Sequence, residues 1–164
     1  MALIEVETRI NAPVERVFDL ARSIDAHASS TKNTKERAVA GRTSGLFELD
    51  ETVTWEAKHF GVKQLLTVKM TAFDRPHSFE DRLIKGAFKS MRHRHSFQVD
   101  GDATVMKDEF EFQAPLGFLG RIAEKVFLTN YMKGFLVRRN EELKQMAESD
   151  EWRRFLPESH APER

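Results

Sequence analysis

Ile4, Val6, Thr8 and Ile10 alternate with Glu5, Glu7 and Arg9, the period-two pattern of a strand with one buried face. Asn11-Ala12-Pro13 ends the alternation, and Pro13 suits a first helical turn, where its missing N–H is no loss. Val14, Val17, Phe18 and Ala21 then recur at i, i+3, i+4 and i+7, one apolar helical face. Residues 23–36 are polar and rich in Ser and Thr, which predicts a short second helix and a loop. From Arg37 the pattern predicts strands over 37–41, 46–58, 62–73, 78–86, 88–99 and 103–113. Gly41, Gly45, Gly61, Arg75-Pro76 and Asp100-Gly101-Asp102 punctuate them as turns. Such short connections favour an antiparallel meander over βαβ crossovers.

The run Ala114-Pro115-Leu116-Gly117 closes the strand region, and a long helix is predicted over 119–148. Its first half is apolar nearly all round, which predicts enclosure on most sides. Ala123, Asn130 and Gly134 form a stripe of small residues there, read either as close helix–sheet packing or as space left for a ligand. From Arg138 the helix is expected to face solvent. The chain therefore reads as a single α+β domain over 1–148, a curved antiparallel sheet wrapped around a long C-terminal helix, with two short helices after the first strand. A polar tail over 149–164 follows, in which Trp152, Phe155 and Leu156 could dock on the domain or a partner.

Composition narrows the function classes. Thirteen Phe against two Trp and one Tyr suggest a large dry interior, because Phe fills space without needing a polar partner. Lys plus Arg and Asp plus Glu number 26 each, so the neutral chain lacks the electrostatic footprint of a nucleic-acid binder. With no cysteine, neither disulfides nor thiolate chemistry is available. Residues 1–7 carry no basic region leading into an apolar run, and no uncharged stretch approaches the roughly 18 residues of a membrane span. A cytoplasmic location is the expectation, and a homodimer stays open.

Candidate chemistry emerges when each strand is split by parity. Met91, Phe97 and Val99 define an inward face that carries His93 and His95 with them. By the same rule Met106, Phe110 and Phe112 take Asp108 inward, Phe79 and Leu83 take Asp81, and Trp55 and Ala57 take His59. Such groups are costly to bury unless they pair with one another, with water or with a ligand. Three readings stay open: a core hydrogen-bond network, a polar patch that orients a ligand, and a catalytic or metal site. His93-x-His95 alone is a weak metal signal, and no metal or cofactor is expected. The expected ligand-binding residues are Trp55, His59, Asp81, Met91, His93, His95, Met106, Asp108, Phe110, Phe127, Asn130 and Gly134. His27, His77 and His160 are expected in solvated loops or the tail. Phosphate loops, nucleophile elbows, H-E-x-x-H and dinucleotide fingerprints are absent.

The element order and several local motifs carry a resemblance. The motifs are Ile10-Asn11-Ala12-Pro13, Val17-Phe18, the run over 37–45, the run over 53–61, Phe79-Glu80-Asp81, Gly86-Ala87-Phe88-Lys89, the run over 93–97 and Pro115-Leu116-Gly117. Together they resemble the helix-grip fold of the SRPBCC superfamily, which holds START-like and pollen-allergen-like domains and polyketide cyclases and dehydratases. More narrowly, the chain is similar to a bacterial subgroup of ligand-binding SRPBCC proteins. The resemblance covers residues 3–147. It implies a deep cavity between sheet and C-terminal helix, suited to a lipid, sterol-like molecule, polyketide or aromatic metabolite. An activity does not follow, because one scaffold hosts binders, transfer proteins and enzymes. The leading expectation is a binding or carrier protein for a small, mainly apolar ligand. The alternative is a cyclase- or dehydratase-like enzyme using a His–Asp pair.

Overall fold

In the computed structural model, described over residues 1–157, strand β1 (Ala2–Ile10) leads into helices α1 (Val14–Ala21) and α2 (Ile24–Ser30). Ser23 caps α2 by accepting from the Ala26 N–H. Strands β2 (Arg37–Gly41), β3 (Thr52–His59), β4 (Val62–Asp74), β5 (Ser78–Lys85), β6 (Ser90–Asp100) and β7 (Ala103–Gln113) follow. The seven strands form one antiparallel sheet in the order β1-β7-β6-β5-β4-β3-β2. All neighbours but β1 and β7 are consecutive in sequence, so the sheet is a meander whose first strand returns to its last. Helices α1 and α2 bridge from β1 to β2, the two edges of that sheet.

The C-terminal helix begins with α3 (Gly117–Ala123), passes through a π-helical turn (Glu124–Leu128) and continues as α4 (Thr129–Glu148). It lies in the concave side of the sheet, packing on β1, α1 and α2. Between it and the sheet sits the core, from Ile4 and Phe18 through Met70, Met106 and Phe112 to Leu143 and Met146.

Two expectations need correction. Residues 46–51 do not extend β3; they form a strap tied to α1 and β4 by Phe47 N–H to Arg22 C=O and Asp50 N–H to Met70 C=O. Their apolar residues pack at loop positions, which a periodicity reading takes for strand. The first half of the C-terminal helix is also not enclosed: Leu119, Val126 and Phe127 are all more exposed than buried. At the start of the tail, Trp152 is buried under the Arg16 guanidinium, which lies 4.3 Å from the ring centroid. His160 lies outside the described residues. Among those described, no helix is long and apolar enough to cross a membrane.

Candidate functional site

A cavity of about 360 Å³ opens between the sheet and α4. From the helix it is lined by Leu128, Tyr131, Met132, Phe135, Leu136 and Arg139, one face at 3.6-residue spacing. From the sheet come Val53, Trp55, Val68, Phe79, Met91 and Phe110. The walls are mostly apolar, and the polar groups gather in two clusters.

The first cluster rests on the pleat of β6 and β7. Their register runs unbroken from Ser90↔Gln113 to Asp100↔Ala103, so no bulge reverses the parity. His93 and His95 therefore point inward with Met91 and Phe97, and both are buried. Behind them Asp108 is fully buried. Its Oδ1 accepts from His93 Nε2 at 2.9 Å and from Arg139 Nη2 at 2.9 Å, and its Oδ2 accepts from Asn140 Nδ2 at 2.5 Å. His95 Nδ1 lies 2.8 Å from the same Oδ1, out of line for a proper hydrogen bond. The imidazoles lie between phenyl rings: His95 stacks on Phe79 at 4.3 Å, lies tilted 3.9 Å from His93, and His93 meets Phe110 edge-on at 5.2 Å.

Burial and neighbouring charge set the protonation of this cluster. Burial pushes the Asp108 carboxyl up, but Arg139, His95 and the bond from His93 outweigh it and hold it well below the usual carboxylate range. Burial and then the adjacent His95 lower the His93 pKa to about 4, against the pull of Asp108. His95 is lowered too, chiefly by burial. Both rings are thus neutral at pH 7. With its Nε2–H donated to Asp108, His93 keeps its lone pair on Nδ1. Asp81, paired across β5–β6 with His93, lines the cavity; its carboxylate lies 4.0 Å from His95 Nε2 and is raised by burial. Asp81, His93 and His95 each place one ligand-capable atom within 4.8 Å of the others. With Asp108 bonding the far nitrogen of His93, this is the kind of donor set that can take a cation or a hydroxyl group.

The second cluster lies two turns back along α4, on the Tyr131 side of the cavity. Glu36 Oε2 sits 2.6 Å from His27 Nε2, and Glu36 Oε1 is 3.9 Å from His59 Nε2. His59 Nδ1 bonds the Tyr131 hydroxyl at 2.7 Å. Burial pushes Glu36 up, yet the bond from His27 and the nearby His27, His59 and Arg139 charges hold it below its ordinary value. Burial lowers His59 against the opposing charge of Glu36.

Of the residues expected at the site, Trp55, His59, Asp81, Met91, His93, His95 and Phe110 line the cavity. Met106 is buried in the core beside it, and Asp108 is screened from the cavity by the histidines it holds. Phe127, Asn130 and Gly134 do not line it: Phe127 packs on Phe60 at the rim, Asn130 faces solvent, and Gly134 lies against the Arg138 side chain. The small-residue stripe was a poor guide because Asn130 and Gly134 fall on the face of α4 opposite Leu128, Met132, Phe135 and Leu136. Arg139 and Asn140 are buried at the site although the helix was expected to face water from Arg138. Glu36 and His27 were missed as well; His27 lines the cavity instead of standing in solvent, whereas His77 is exposed as expected. Spacing could have found Arg139, which continues the stripe of Leu128, Met132, Phe135 and Leu136 by three residues.

Solved structures share this architecture at low identity. A Thermus thermophilus protein, TTHA0849, matches with a TM-score of 0.74 at 17% identity, over 89% of this chain and 97% of that one. A START superfamily protein from Mycobacterium smegmatis matches at 0.68 and 12%, over 89% and 97%. Major latex-like protein 151 of Panax ginseng matches at 0.66 and 14%, over 90% and 98%. No curated protein matches the chain. The family model described as "Polyketide cyclase / dehydrase and lipid transport" matches residues 1–148, and the chain belongs to that family.

Proposed function

We propose that this protein binds a small, mainly apolar molecule in the cavity, as a cytoplasmic binding or carrier protein. The observation that carries the reading is the cavity's composition: apolar walls around about 360 Å³, with His93, His95 and Asp81 converging at one place. Pockets of this size and character suit a ligand with an apolar body and one polar handle. The handle is neutral, a hydroxyl or carbonyl. Two neutral imidazoles supply a lone pair and N–H groups, Glu36, held below its ordinary value, repels an anion, and the Arg139 charge is already matched by Asp108.

A cyclase- or dehydratase-like reaction is the second reading, favoured by the His93–Asp108 pair at the cavity wall. That pair is a poor general base, because efficient proton transfer at neutral pH needs a pKa near 7 and His93 sits at about 4. Binding is the better match.

The test is a thermal-shift screen of neutral quinones, sterols, polyketides and aromatic alcohols, alongside native mass spectrometry of the protein as purified. A true ligand at about 100 times its Kd should stabilise the protein by about 2.7 kcal/mol. Met132→Trp, which fills the cavity from α4, should abolish that shift and leave the fold intact. Equal shifts in both proteins, or no shift from any compound and no bound mass, would overturn the proposal.

A further inference from the structure

The mouth of the cavity is apolar where it should be polar. Leu116, Phe118, Leu119 and Val126 are between 69 and 80% exposed, and Ile122 is half exposed. At 100° per residue, Phe118, Leu119 and Ile122 fall within one arc of α3, with Arg121 along its edge, and exposed Lys125 and Val126 follow in the π-helical turn. This face turns outward. Next to it, the β3–β4 turn presents Phe60, half exposed, with its ring 5.3 Å from Phe127 and 4.4 Å from Tyr131. Phe60 has φ +53 and Leu116 φ +73, a left-handed backbone uncommon for large side chains. A continuous apolar surface of this kind on a monomer marks an interaction site.

Charge says what covers it. The segments that build the mouth, residues 58–65, 84–89 and 116–138, hold eight Lys and Arg and one acid, Glu124. All eight cations are exposed, and among the described residues only Lys63 forms an ion pair, 3.1 Å from Glu56. Since the whole chain is neutral, an excess of seven positive charges here leaves seven negative charges over the remainder. The molecule is polarised, basic and apolar at the mouth. A second copy is a poor occupant, because a two-fold contact would press one basic rim against the other. Protruding apolar side chains ringed by Lys and Arg are the combination that seats a helix in the headgroup layer of an anionic bilayer.

We infer that the outward face of α3 and the π-helical turn, with the β3–β4 turn, docks the cavity mouth on an anionic lipid surface. Leu116, Phe118, Leu119, Val126 and Phe60 enter the headgroup–acyl boundary, and Arg121 and Lys125 contact lipid phosphates. Docking would let an apolar ligand pass between bilayer and cavity without crossing water; that purpose, though not the docking itself, rests on the proposed binding function.

The experiment is vesicle co-sedimentation of the full chain, without added ligand. It compares phosphatidylcholine alone with phosphatidylcholine containing phosphatidylglycerol, at low and high salt. The wild type should pellet with the anionic vesicles and be released by salt. Arg121→Glu with Lys125→Glu should weaken binding by more than about tenfold, since each basic residue near such a surface contributes roughly fivefold. Phe118→Ser with Val126→Ser should also release the protein, while thermal melting shows both doubles folded. Binding to neither composition, or binding that survives both doubles, overturns the inference. So does sedimentation equilibrium showing a dimer that the Ser double dissolves. Met132→Trp separates the two proposals: it should empty the cavity of ligand and leave vesicle binding unchanged.

Discussion

At one place along the cavity, Asp108 is gripped by His93, Arg139 and Asn140; two helical turns away, Glu36 is gripped by His27 with His59 beyond it. Each cluster holds two imidazoles and a carboxylate. They differ in what carries them. The Asp108 cluster sits on paired strands in unbroken register, with the Arg139 guanidinium closing it from α4. The Glu36 cluster spans four separate pieces: α2, the loop before β2, the end of β3 and the start of α4. Equal chemistry on one rigid element makes a fixed surface, and on several elements it makes a clasp.

Breaking the fixed cluster should have the largest effect. Asp108→Ala leaves Arg139 buried without its counter-charge and should destabilise by about 3–5 kcal/mol in urea melts. Pairing Asp108→Leu with Arg139→Met removes both charges, and should recover most of that loss because an apolar pair of similar volume replaces the ion pair. If the double variant is as unstable as Asp108→Ala, the histidines and Asn140, not the charge pair, hold the cluster.

The pH dependence sharpens the same contrast. An unfolded His93 takes its proton near the ordinary 6.5, while the folded ring resists until about 4. The unfolded state therefore binds more protons between those values, and stability falls on acidification through that window, by about 2–3 kcal/mol for one such ring. His95, lowered in the same direction, adds to the loss. Asp81, raised by burial, opposes it, because its protonation relieves strain on the folded state. Asp108, held low, contributes fully above the usual carboxylate range and is lost only at more acid pH. Urea melts at pH 7 and 4.5 should show the drop, and His93→Gln should shrink it. An unchanged slope in His93→Gln would mean that this ring is not kept neutral by burial.

The fixed cluster was largely legible in the sequence and the clasp was not. Period two in β6 and β7 assigns His93, His95 and Asp108 to one face as soon as Phe97 and Phe110 are seen to be inside. Nothing local marks Glu36 or His27, because they lie in polar segments and meet only when α2 and β3 fold together. The strap over 46–51 and the π-helical turn went unseen for a related reason. Periodicity reports which residues are apolar, and a loop pinned by Arg22 and Met70 backbone bonds uses the same apolar residues as a strand.

The smallest effect tests the clasp. Tyr131→Phe deletes the hydroxyl that meets His59 Nδ1 at 2.7 Å but keeps the ring against Phe60. Because Tyr131 is only partly buried, water can replace the lost partner, and the global cost should stay below about 1 kcal/mol. The local consequence should be larger than the global one. That bond joins the end of β3 to the start of α4 across the cavity rim, so its loss should speed amide hydrogen exchange over 58–62 and 129–132 and leave the β6 and β7 amides unchanged. Uniform acceleration across the sheet would show that the rim and the fixed cluster open as one unit, and the distinction between clasp and scaffold would fail.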